Sequence, residues 1–119
     1  MQKTIKLTLW LLFILAIFLL SLLDLESMTG RDMSNGFAIR HILTFSVFVL
    51  LTKITWPRWH VLQIVLAALG LGIAIEIAQE LFTGGVRHFH WHDLMNDCIG
   101  VIVGLIVIFL YQVVRQKVE

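Results

Sequence analysis

The chain has 119 residues, 59% of them apolar and 14% charged, with a formal net charge of +1. A soluble domain of this size has no interior large enough for that much apolar surface, so the composition excludes a water-soluble globule and points to lipid as the solvent. The near-neutral charge gives no basis for nucleic-acid binding, and Cys98, the single cysteine, excludes an internal disulfide.

The apolar runs fall into four segments. Residues 7–23 are almost unbroken. Lys3 and Lys6 before this run look like the start of a signal peptide, but the run ends in "LLSLLDLES" with no small-x-small cleavage site, so an uncleaved helix is expected. Residues 42–52 form a shorter run that Arg40 and Lys53 extend to spanning length by snorkelling. The stretch "TWPRWH" reads as a hairpin, with Trp56 and Trp59 at headgroup depth and Pro57 opening the third helix. The third and fourth segments are residues 59–75 and 98–114. Roughly 20 residues span a bilayer as a helix. The chain is therefore expected to be a single all-α domain over residues 1–119, a polytopic bundle of four transmembrane helices. A barrel is excluded because its strands would alternate apolar and polar residues, and these do not.

Lysine and arginine set the orientation. Lys3, Lys6, Lys53, Arg58, Arg115 and Lys117 fall on one side, and Arg31, Arg40 and Arg87 on the other, a bias of six to three. The positive-inside rule places both termini in the cytoplasm. Small residues mark packing faces: Ala67, Gly70, Ala74 and Ala78 on the third helix, with Gly72 on another face, and Gly100-x-x-x-Gly104 on the fourth. Such faces bring helices together in lipid, within one chain or between the two copies of a homodimer.

The polar residues gather at one end of the expected bundle. Glu76, Gln79 and Glu80 share a helical face, and Asp93, Asp97, Gly100 and Gly104 form a stripe on the fourth helix. A carboxylate at the depth of Glu76 costs several kcal/mol unless paired, protonated or wet, and Arg87 and His41 are its expected partners. Glu76, Arg87 and Asp93 then form either a functional pocket or a polar clasp that only fixes the bundle. His88, His90 and His92 with Asp93 suggest metal, but no catalytic-zinc spacing accompanies them, so no metal and no cofactor are expected. Cys98 lies in an apolar run where a thiol is inert, and neither Ser34 nor Ser46 has an identifiable base.

These residues resemble the VanZ-like family of small bacterial membrane proteins, named for a teicoplanin-resistance accessory protein. The matching features are His41 with Phe45, Glu76-x-x-Gln79, and the series Arg87, Phe89, Asp93, Gly100 and Gly104, within residues 37–110. The chain departs from the pattern at Phe37 and Ala38, where Asp-Lys is usual, at His90 for Ser, and at Asp97 for Asn. The resemblance implies a role at the cell envelope, in the bacterial cytoplasmic membrane. The expected function is an outward-facing polar pocket of His41, Glu76, Gln79, Arg87, Asp93 and Asp97. It would bind a membrane lipid, a lipid-linked cell-wall precursor or a glycopeptide, with an effect on teicoplanin susceptibility. Arg87 would contact an anionic group, and the carboxylates would position polar groups or carry protons. Two other classes stay open: a membrane hydrolase or transferase with His41 or Glu76 as general base, and a structural subunit of a membrane complex.

Overall fold

The computed structural model describes residues 2–23, 35–82 and 91–118, with the side chains at 22–23 and 35–38 outside the description. Every described element is a helix: α1 (Gln2–Leu23), α2 (Asn35–Thr55), α3 (Val61–Phe82) and α4 (Trp91–Val118). Gln2–Ser21, Val61–Phe82 and Trp91–Val118 are each long and apolar enough to cross a membrane. The 21 residues of α2 extend roughly 31 Å at the usual helical rise, also spanning length.

Polar contacts fix the topology. Thr55, at the end of α2, lies beside Lys6 at the start of α1. Ser21, His41, Gln79 and Asp97 meet at the opposite end. Successive helices therefore run up and down, and α1 begins at the end where α4 finishes.

The tightest seam joins α2 to α4. A Cβ built on Gly100 would stand 2.6 Å from the Ile42 carbonyl and 2.9 Å from Phe45 Cβ, and one on Gly104 would stand 2.8 Å from Val49 Cβ. Only glycine admits helices this close, and in lipid such close packing replaces the hydrophobic drive. Ser46 donates across the seam to the Gly100 carbonyl at 3.0 Å, and back along its own helix to Ile42 at 2.7 Å. With no water at this depth, its hydroxyl finds backbone partners.

The packing face of α3 differs from the expected one. Ala68, Leu71, Gly72, Ile75, Glu76 and Gln79 are buried, whereas Gly70 and Ala74 are exposed and Ala67 and Ala78 only half-buried. Nothing lies within 4 Å of a Cβ built on Gly70. Lipid-facing and core-facing surfaces are both apolar here, so a row of small residues does not by itself choose between them.

The hairpin between α2 and α3 also corrects the sequence reading. Pro57 sits in the turn, and α3 starts only at Val61. His60 is the N-cap: its carbonyl accepts from Ile64 at 3.1 Å, and its N–H donates to Gln63 Oε1 at 2.8 Å, the backward half of a capping box. Lys53 reaches forward to the carbonyls of Pro57 at 2.9 Å and Trp59 at 3.5 Å. Trp56 and Trp59 stack at 5.3 Å and present faces or edges to Trp10 at 5.7 and 6.4 Å. They clamp α1 onto the hairpin, and Trp10 Nε1 completes the clamp by donating to Thr52 Oγ1 at 2.9 Å. Beyond this clamp Ile17 is the one fully buried apolar side chain of α1 among the described residues, while Phe13, Ile14 and Phe18 pack partly against the core.

Candidate functional site

The end of the bundle opposite the tryptophans collects the polar residues. Glu76, Asp93 and Asp97 are each 1% exposed, and Gln79 is 3% exposed. The stripe on α4 is buried throughout, at Asp93, Asp97, Gly100 and Gly104. Asp93 lies in the first turn of α4, where the positive end of the helix dipole favours a carboxylate. Glu80, one turn beyond Glu76, is only half-buried.

Asp97 is the junction. His41 Nδ1 stands 2.7 Å from Asp97 Oδ1, the ring N–H donating to the carboxylate. The other oxygen, Oδ2, lies against α3, 2.7 Å from where a Cβ on Gly72 would be. One side chain thus joins three helices, accepting from α2 and filling the space that Gly72 leaves on α3. Asp93 and Glu76 act on the same imidazole electrostatically. His41 therefore sits among three buried acids and donates to one of them.

Gly72, set by the sequence on a face apart from the row of small residues, is a positioning residue. Gly72→Ala should push Oδ2 aside and cost about 1–3 kcal/mol, the usual price of overpacking. Most of that loss should vanish in an Asp97→Ala background, measured by unfolding in mixed detergent micelles. An equal cost in both backgrounds would show that the alanine meets something other than the carboxylate.

Gln79 also ties two helices together at this end. Its Nε2 donates to the Ser21 carbonyl at 3.0 Å. That carbonyl lies in the last described turn of α1, so Gln79 ties this end of α1 to α3.

Together these groups form the polar end of a cleft of about 480 Å³ bounded by all four helices. His41, Asp97, Gln79 and Arg40 lie at this end, and Ile17 and Ile75 are among its apolar walls. Of the expected site residues, His41, Gln79 and Asp97 line the cleft, whereas Glu76 and Asp93 are buried beside it. Arg87, with its expected contact to Glu76, lies outside the described residues, as do Phe89, His88 and His90; His92 is exposed. Among the described residues no group of three His, Cys, Asp or Glu could hold a metal ion. The arrangement offers an anchored imidazole, a guanidinium and an apolar wall, which together suit an amphipathic molecule.

A family model described as VanZ/LLP1 matches residues 2–112. No curated protein and no solved structure matches the chain.

Proposed function

The chain belongs to the VanZ/LLP1 family, and from that premise we propose that it is a multi-pass protein of the bacterial cytoplasmic membrane whose cleft binds an amphipathic envelope molecule. The observation that carries this reading is the cleft itself, with apolar walls leading to His41, Asp97 and Arg40 in a helical bundle built for lipid. The six-to-three bias of lysine and arginine supports a cleft that faces outward, with both termini in the cytoplasm. The ligand is a membrane lipid or the lipid end of a cell-wall precursor. Any change in teicoplanin susceptibility follows from holding that molecule at the outer surface.

Native mass spectrometry of the protein released from nanodiscs of bacterial lipid extract should show one retained lipid-sized adduct. Thr44→Trp, which fills the cleft from its half-buried wall, should remove the adduct. Val47→Trp, on the exposed face of α2, should keep it. Equal retention in the two variants would place the lipid elsewhere and end this reading.

A second reading draws on the 2.7 Å contact between His41 and Asp97. A carboxylate that orients an imidazole through Nδ1 is the usual support for a general base acting through Nε2. In that case the adduct would leave the protein with a changed mass, as a hydrolysed or transferred product.

A further inference from the structure

We infer that the occupant of the cleft is a single anionic glycerophospholipid that enters sideways from the bilayer between α1 and α2, a conclusion that rests on the lipid-binding reading above. Three features of the molecule lead there.

The first is where the cleft opens. Leu20 of α1 and Leu43 of α2 both line it, and both are 60% exposed on the outer surface of the bundle. In a membrane that surface faces acyl chains. The rim of the cleft is therefore a seam facing lipid, and an acyl chain already in the bilayer can lie between the two leucines without crossing water.

The second is how α1 is held. Leu12, Leu15 and Leu19 are all more than half exposed. Trp10 fixes one end of the helix through Thr52 and the stacked tryptophans. The cleft end is joined to α3 by the bond from Gln79 to the Ser21 carbonyl. Trp10 and Ser21 are separated by roughly 16 Å of helix. Between these points Phe13, Ile14, Ile17 and Phe18 pack against the core, so α1 keeps its place and its lipid-facing leucines leave the Leu20–Leu43 seam as the way in.

The third is size and charge. A cleft of about 480 Å³ falls in the range of small-molecule sites, roughly 300–1,000 Å³. It takes a phospholipid headgroup and the start of a chain, and is too small for a glycopeptide or for the whole sugar–peptide portion of a cell-wall precursor. The oxygens of Asp97 are turned toward His41 and Gly72. Arg40 lines the cleft and is exposed, and the planar fork of a guanidinium, with five donors, matches a phosphate even where some of them are already engaged.

The test uses the full chain in phosphatidylcholine nanodiscs doped with a lipid carrying a photoreactive acyl chain. With a phosphatidylglycerol head, crosslinks should concentrate on residues 17–21 and 40–45. They should exceed those of the phosphatidylcholine analogue roughly tenfold, about the worth of one charge-assisted hydrogen bond. Arg40→Gln should bring the two lipids to parity. Leu43→Trp should block the seam and slow labelling, whereas Leu62→Trp, on the exposed face of α3, should not.

Labelling spread evenly around the helices, or indifferent to the headgroup, would overturn the inference. So would labelling unchanged by Leu43→Trp, which would mean entry from the water-facing mouth. If the retained adduct described above persists in those cases, only the route or the lipid class is wrong. If the adduct is absent as well, the lipid-binding reading falls with it.

Discussion

His41→Ala is expected to destabilise the protein by about 3–5 kcal/mol, the loss typical when one partner of a desolvated ion pair is removed. The size of the effect comes from what is left behind. Asp97 is 1% exposed, its Oδ1 loses the donor at 2.7 Å, and Oδ2 is enclosed against Gly72. Asp97→Leu should cost less than His41→Ala, because a partly exposed imidazole can turn toward solvent while a fully buried carboxylate cannot. The double variant should fall well short of the sum of the two, and Asp97→Asn, which still accepts from Nδ1, should be the mildest change. Reversible unfolding in mixed micelles measures each. Strictly additive costs would mean that the two side chains do not depend on one another.

Gly100→Leu should cost about 1–3 kcal/mol or more by overpacking, and it belongs among the largest effects because of what the new side chain meets. Its first carbon would already lie 2.6 Å from a backbone carbonyl on α2, and a backbone atom cannot rotate away. The helices must separate, which also pulls Ser46 from the Gly100 carbonyl. Gly70→Leu is the control. That position is exposed and has nothing within 4 Å of an added Cβ, so it should be nearly silent. Matching losses of detergent melting temperature in the two variants would show that α2 and α4 do not pack as closely as described.

The four helices were legible because nothing but helix spans lipid at these lengths. The stripe on α4 was legible because Asp93, Asp97, Gly100 and Gly104 recur at helical spacing and the polar members stand out in an apolar run. Pairing was harder to read. The pairing expected of Glu76 with Arg87 lies outside the described residues, and His41, also expected near Glu76, bonds to Asp97. Which carboxylate a histidine meets depends on the rotation of two helices, and a sequence gives no rotation when core and lipid are equally apolar. The same loss of contrast left the Gly72 face of α3 unranked against the row at Ala67, Gly70, Ala74 and Ala78. Trp10 sat unnoticed within an unbroken apolar run. Gln79 lines the cleft, and its added bond to a carbonyl near the end of α1 depends on a helix contact that no spacing in the sequence reveals.

The separation of His41 from Asp97 also sets a timetable for biosynthesis. The two lie 56 residues apart, and the tightest seam, α2 against α4, closes only when the last helix arrives. At roughly 5–20 residues per second, about 3–11 s of translation separate the emergence of the two side chains. Throughout that interval α2 carries a histidine whose carboxylate has not yet been made, and the small-residue partners for its backbone are also missing. The tightest seam of the bundle therefore closes last, after its final helix has entered the membrane.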